Sequence, residues 1–421
     1  MFTLSAALIW GVNTLFLLDA GLDIFKVFLA NAAFTAGMVL FEVPTGVLAD
    51  TAGRRASFLW SVGVLSLTTV GYVLVARFGG GVIAFAVVSV VMGLGFTFYS
   101  GAVEAWLVDA LQHSGFRGEL DRIFARGSMV SGAAMVTGTL AGGFLGDVDL
   151  AIPYVVRAAL LVAAFGVAWA AMHDVGFTAR AMGVAQIPSA TREIFRASIR
   201  FGWGERPVRM LMLVSFLQWG FMSWGFYAWQ PYFLELLGRD AVWVAGAAAS
   251  GIALAMILGN AVVEWLSRFC GRRTTLLLWA SGIQAGAAMG VGLTDNFWVA
   301  VALMVLLAGG MGVAGPVKQA YLHASIPSAQ RASVISFDSM FGNGGGIVSQ
   351  TGLGWLSRAQ SIELGYVTGG ASLVLALPLY AAVRRIGGPA DRIVGAKAGI
   401  EGPCAAQGIP EIAGVDAKAR T

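Results

Sequence analysis

Long apolar stretches, each near or above the roughly 20 residues that cross about 30 Å of hydrocarbon, alternate with short polar segments along most of the chain. Read as helices, they predict twelve spans at about 2–20, 27–49, 56–76, 80–108, 122–146, 151–172, 208–233, 241–265, 274–293, 296–322, 332–356 and 361–383. The longest internal polar segment, 173–207, divides them six and six. Within it, Ser189 can cap a helix whose Ile194, Phe195, Ile199 and Trp203 form one apolar stripe among arginines. That pattern predicts a helix lying on the membrane surface, with a plain solvated linker as the alternative. Beyond Arg385 the periodicity stops, and 386–421 reads as a disordered tail. The expected organisation is a six-helix bundle over 1–172, a linker over 173–207, a second bundle over 208–385, and the tail.

Composition excludes an ordinary soluble domain. Hydrophobic residues make up 57% and charged residues 12% of the 421 residues, and mean hydropathy is +0.77. A soluble domain carries about 25% charged residues, and half of that cannot coat a water-facing surface. The fold class is therefore an all-α integral membrane protein. The first span has no basic lead-in and no small-residue cleavage site, so it reads as a span and not as a cleaved signal. The arginines fix an expected orientation. Arg54 and Arg55 follow the second span, Arg117 and Arg122 the fourth, and Arg180 to Arg209 the sixth. Arg268, Arg272 and Arg273 follow the eighth, Arg331 the tenth, and Arg384, Arg385 and Arg392 the twelfth. The opposite loops hold only Lys26, Arg77, Arg157, Arg239 and Arg358. This bias places both termini in the cytoplasm of a bacterial-type inner membrane.

Several chemistries are disfavoured. Cys270 and Cys404 both fall on the expected cytoplasmic side, where thiols stay reduced. His113, His173 and His323 lack metal-ligand spacing, so neither a metal nor a cofactor is expected, nor the clustered residues of a membrane enzyme. There is no G-x-x-x-x-G-K-[ST] phosphate loop to power a pump. No nucleic-acid partner is expected; the partners are the bilayer, a small organic solute and protons, with the chain a monomer.

The stretch FEVPTGVLADTAGRR, 41–55, carries the first candidate chemistry. Glu42, Gly46 and Asp50 recur at i, i+4 and share one helix face, Pro44 removes a helix bond, and Gly53 ends the helix before Arg54 and Arg55. The second half echoes the first. Gly53-Arg54-Arg55 corresponds to Gly271-Arg272-Arg273, and GAVEAWLVDALQ (101–112) echoes GPVKQAYLHASI (315–326), matched with a one-residue shift that sets Glu104 against Gln319 and Trp106 against Tyr321. Two echoes in register imply duplicated bundles related by an axis along the membrane normal.

These residues resemble the loop signature of the major facilitator superfamily, G-x-x-x-D-x-x-G-R-R/K between its second and third helices. The wider stretch 41–55 is similar to bacterial drug and small-molecule exporters of that superfamily, as is IPSAQRASVISF (326–337). The resemblance covers about residues 1–385. It implies that Gly46 lets the second helix approach the eleventh, and that Asp50, Gly53, Arg54 and Arg55 form a cytoplasmic gate that tightens in the outward-facing state. It departs from the family in lacking a fourth-helix arginine, in having Thr139 where the GTLAGG exporter motif has proline, and in having Arg268 for the second-half acid.

Ionisable groups within the spans are the remaining candidates, because an unpaired charge in hydrocarbon is costly. Asn31 and Thr35 extend the Glu42 face. Asp109 is expected to pair with Arg126 as part of the gate, together with Arg272 and Arg273. Glu104 and Lys318, at nearly equivalent depth in the two halves, are expected to face one another across a central cavity. Asp338 precedes the adaptable FGNGGG (341–346). On the seventh helix, Gln218, Trp219 and Tyr227 are expected to line the cavity, whereas Trp229 and Tyr232 suit an interfacial aromatic belt. A closed cavity disfavours the charged form of a carboxyl group, which suits Glu42, Glu104 or Asp338 to carry protons. The expected function is secondary active transport, with proton-coupled efflux ahead of proton-coupled or facilitative import of a sugar or other metabolite. A non-transporting receptor or scaffold is the remaining alternative.

Overall fold

Polar segments end the helices by identifiable local chemistry. The computed structural model describes residues 1–100, 102–116, 120–177, 192, 196, 199–238, 241–326 and 331–393. Asp23 caps the second span by accepting from the Lys26 amide at 3.0 Å. Asn296 caps the tenth through the Trp298 and Val299 amides, and Ser361 caps the twelfth through Leu364. Gly238 closes the seventh in the left-handed conformation. Gly53, at φ 103°, joins the second span directly to the third, a turn that a side chain would strain.

In chain order, the first span is broken into Phe2–Trp10 and Asn13–Asp19. The second is Ile24–Ala52, the third Arg54–Arg77, the fourth Gly81–Tyr99 followed by Ala102–His113, the fifth Leu120–Val148 and the sixth Ile152–Ala171. The seventh is Arg206–Leu237, the eighth Val242–Ala261 with a short Val263–Phe269 extension, the ninth Arg273–Gly292, the tenth Phe297–Ser325, the eleventh Arg331–Ala359, and the twelfth Ile362–Val374 with Ala376–Ile386. Among the described residues nine helices are long and apolar enough to cross a membrane, or ten if the bent first pair is one span. The seventh and eleventh helices are long but more polar, and they bring the crossing segments to twelve.

Each packing in the amino-terminal six has its counterpart six spans later. The first span packs on the fifth and sixth, the second on the fourth, and the third on the fourth and sixth. In the same way the seventh packs on the eleventh and twelfth, the eighth on the tenth, and the ninth on the tenth and twelfth. Among the described residues three contacts join the bundles: second span to eleventh and fifth to eighth, which are related by the repeat, and the second half of the first span to the seventh. Small residues make the close approaches. Gly93 of the fourth span faces the Phe34–Met38 backbone of the second, and Gly312 of the tenth faces the backbone at Met256 and Asn260 of the eighth.

The first span is expected to be continuous and is instead bent by 54° after Trp10. In an unbroken helix the Thr14 amide would donate to the Trp10 carbonyl. Here Gln230 of the seventh span stands between them: Thr14 N–H donates to Gln230 Oε1 at 2.8 Å, and Gln230 Nε2 donates to Trp10 O at 2.8 Å. A side chain inserted into the backbone ladder is a recognised cause of a sharp bend.

Three other expectations are corrected. Residues 387–393 are not a disordered tail. Asp391 is buried and accepts from the Thr274 amide and hydroxyl at 2.9 and 3.0 Å, and Ile393 donates to Gly271. Trp229 and Tyr232 belong to the core of the second bundle and not to an interfacial belt. Arg157 is no loop residue but is buried within the sixth span. Of the surface helix predicted in 173–207, Ser189, Ile194 and Phe195 lie outside the described residues, whereas Ile199 is exposed and Trp203 packs its ring on Phe341.

The fifth and eighth spans meet where a Cβ built on Gly246 falls 2.7 Å from Gly143 Cα. Thr139 and Ser250 share a hydrogen bond of 2.6 Å one turn away. Gly246→Leu is expected to destabilise the purified protein by about 3 kcal/mol or more through overpacking. Gly251→Leu, where a side chain meets nothing within 4 Å, is expected to leave thermal stability unchanged. Equal losses in the two variants would contradict this account of the interface.

Candidate functional site

The bonds that join the bundles are concentrated away from the arginine-rich face. Besides the Gln230 insertion, the Thr14 hydroxyl donates to Tyr227 O, and the Val242 amide donates to Asp147. Arg358 lies 3.8 Å from Asp23. Burial pushes the Asp23 carboxyl up, but the Lys26 amide and ammonium together with Arg358 outweigh it and hold it below the ordinary aspartate value. Midway down, Thr35 Oγ1 donates to Gln350 Oε1 at 3.4 Å. Towards the arginine-rich face, the Asp50–Arg54 and Arg54–Asp109 pairs and the bonds of Arg55 and Arg273 lie within one bundle or the other. Trp219, Glu104 and Gly46 are exposed in the space between there and the Thr35–Gln350 bond.

On the second-bundle wall of that space lies a buried charge pair. Lys318 Nζ of the tenth span is 3.1 Å from Asp338 Oδ2 of the eleventh. Ser215 of the seventh bonds to both, accepting from Lys318 and donating to Asp338 Oδ1 at 2.5 Å. The two charged side chains are 18% and 12% exposed, so the pair is desolvated yet still within reach of the opening. Beside it, Trp219 is 49% exposed and donates through Nε1 to Asn343 at 2.9 Å. Gln218 donates to Ser281 at 3.0 Å and is half-buried. Further towards the closed face an apolar recess is lined by Phe221, Met222, Phe226, Met304 and Met311.

The first-bundle wall supplies acids. Glu42 is half-buried and accepts from Ser100 Oγ at 3.4 Å, and Glu104 is exposed. Thr35 is buried with its bond across to Gln350, and Asn31 is buried against Asn13 of the first span, so neither is exposed beside Glu42. Tyr227 is half-buried near the closed face, where its backbone carbonyl takes the Thr14 bond.

Two expected pairs are corrected. Glu104 does not meet Lys318, whose partner is Asp338. Glu104 is exposed on its helix, whereas Lys318 is turned towards the eleventh span, where Asp338 and Ser215 hold its ammonium. Asp109 lies 4.0 Å from Arg54 Nε, while Arg126 is exposed on the fifth span.

At the arginine-rich face, Asp50 pairs with Arg54 at 2.9 Å. Arg55 donates to Trp169 O at 2.8 Å and lies over the Trp169 ring, while its amide is capped by Asp174 at 2.8 Å. The second bundle repeats this arrangement, with Arg273 donating to Ala390 O and Asp391 capping Thr274. Arg272 pairs its backbone with Arg392. Gly46 is exposed, and a Cβ there would meet nothing within 4 Å, so the approach to the eleventh helix that the resemblance implies is not made in this conformation. Sequence reasoning missed Ser215, Asn343, Asp174 and Asp391, and it grouped Gln230 with the amide donors of the seventh helix without seeing that it enters the first span. Only the two aspartates left a signal, each a lone acid shortly after the last span of its half.

Neither a protein-family model nor a curated protein matches the sequence. By structure the chain is similar to the nucleoside transporter NupG, with TM-score 0.73 and 12% identity over 91% of this chain and 97% of that one. It is also similar to the peptide transporter POT in complex with sulfate (0.71, 14%, 93% and 93%) and to a D-xylose-proton symporter (0.66, 14%, 90% and 95%). These neighbours are transporters and not enzymes. What the likeness establishes is the fold: an all-α, two-bundle architecture shared with these transporters.

Stranding one member of a buried pair costs more than removing both. Lys318→Met and Asp338→Asn are each expected to lower stability by about 3 kcal/mol, with the double variant closer to wild type. Glu104→Gln is expected to change nothing. Additive losses in the thermal-unfolding cycle would show that the two charges are not coupled.

Proposed function

We propose that this chain is a secondary active transporter of a small organic solute, working by alternating access and captured here with its central site open to the cytoplasm. The observation that carries the reading is the asymmetry between the two faces. The bundles are bonded together through Gln230, Thr14, Asp147 and Asp23 at one end. At the other end they part around Glu42, Glu104, Trp219 and the Lys318–Asp338 pair. The arginine bias favours the cytoplasm for the open face, with both termini on that side of a cell membrane.

The site combines an exposed indole, two acids on one wall and a salt-bridged acid and base on the other. That set suits an amphipathic solute with a flat apolar part and a polar or cationic group. Asp338 has the geometry for coupling, since protonating it releases Lys318 and Ser215 together. Glu42 is the second candidate, because its hydroxyl partner is a single serine. The exporter-like stretch 41–55 favours outward movement, exchanged against protons. The chain needs no second copy for this cycle and is read as a monomer.

The test begins with a ligand-stabilisation screen of purified protein. Flux of any hit is then measured in proteoliposomes with an imposed pH gradient. Wild type is expected to move the solute against its gradient. Asp338→Asn is expected to lose at least tenfold of the pH-driven rate while retaining exchange of labelled for unlabelled solute. Binding without flux in either direction would turn the reading to a receptor. An unaltered pH response in both Asp338→Asn and Glu42→Gln would remove these acids from coupling.

A further inference from the structure

A second charged site lies apart from the central one, near the closed face. Arg157 is five residues into the sixth span, about 7.5 Å along the helix, and is only 6% exposed. Its Nε is fully enclosed and has no hydrogen-bond partner, so what accessibility the residue keeps lies elsewhere on the side chain. The groups within its electrostatic reach are Tyr72, Tyr154 and Tyr227. None is an acid, and among the described residues no ion pair reaches the guanidinium.

Several polar groups nearby are already paired with one another, and one further enclosed donor is left over. The Tyr154 hydroxyl donates to Asn13 Oδ1 at 2.8 Å, and Asn13 Nδ2 donates to Asn31 Oδ1 at 3.1 Å. Asn31 Nδ2 is a second enclosed donor without a partner. Tyr72 shares a hydrogen bond with Ser89. An arginine cannot relieve such a position by giving up its proton, and an uncompensated buried charge is strongly unfavourable. What is missing is a negative charge that accepts hydrogen bonds.

We propose that Arg157 holds a small inorganic anion of chloride's size among Tyr72, Tyr154 and Tyr227. The size follows from the packing, since the Tyr154 ring stacks on Tyr72 with centroids 6.1 Å apart and lies 4.2 Å from Phe16. Rings packed this closely exclude an organic group from the guanidinium. Tyr227 comes from the seventh span and the other residues from the first bundle. The anion therefore sits where the two bundles meet and stabilises the closed face, next to the Thr14–Tyr227 bond.

The experiment follows thermal unfolding of the purified full-length protein while chloride replaces gluconate at constant ionic strength. Wild type is expected to show a saturable rise of a few degrees, reproduced by bromide and nitrate. Arg157→Gln is expected to abolish the rise or to move its midpoint at least tenfold higher, and Arg157→Lys to retain part of it. Tyr154→Phe, which keeps the packing, is expected to weaken the response and covers the case in which Arg157→Gln does not fold. Indifference of wild type to all three anions would overturn the proposal. So would an identical midpoint in wild type and Arg157→Gln, or stabilisation by formate and acetate but not by halides.

Discussion

Gln230 is one side chain doing the work of a backbone hydrogen bond in a different helix, and the shape of the molecule depends on it. Its amide satisfies the Trp10 carbonyl and the Thr14 amide, the two groups that an unbroken first span would pair with each other. In a membrane interior an unpaired backbone group costs several kcal/mol, so the break in the first span and the contact with the seventh require one another. While Gln230 is in place, the ends of the two bundles cannot separate on that face. Once it withdraws, Thr14 can return its bond to Trp10 and the first span can straighten. In the proposed transport cycle the broken helix and the opposing amide form a two-state element that biases access to the central site.

At the arginine-rich end each bundle is tied together by its own internal contacts. Asp174 and Asp391 stand just after the last span of their halves, and each caps the amino end of the third helix of that half, at Arg55 and Thr274. Arg55 and Arg273 each reach a carbonyl of the same neighbouring segment, Trp169 and Ala390. These contacts lie inside one bundle and survive any rocking between bundles. Glycine-backed packing within each half has the same consequence. The interface between the halves, in contrast, relies on a few polar bonds and on the Gly143–Gly246 contact, and its loosening at one end leaves the Lys318–Asp338 pair approachable.

Much of the architecture was legible in the sequence. Apolar run length predicted the spans, and the Gly-Arg-Arg echo predicted the repeat, because both rest on local chemistry that each segment carries by itself. The site was legible in part. Lys318, Asp338, Glu42 and Trp219 stood out as polar or charged groups inside apolar runs. Their partners did not, because a partner depends on helix rotation. Lys318 turns to Asp338 and not to Glu104, and Ser215 completes the pair although nothing distinguishes it from other serines. Arg157 was read as a topology marker because it lies near a span boundary, where only packing separates a loop arginine from a buried one. Trp229 and Tyr232 were misplaced for the same reason, since belt and core use the same residue types.

The most direct test of this account is the distance across the closed face, measured by double electron–electron resonance in protein lacking Cys270 and Cys404. Spin labels at Phe78 and Asp295, in loops of the two bundles on that face, report their separation in wild type and in Gln230→Leu. Wild type should give a distribution dominated by one short distance. Gln230→Leu, which cannot bridge Trp10 and Thr14, should add or enlarge a longer-distance population. Indistinguishable distributions in the two proteins would contradict the claim that this amide holds the face shut.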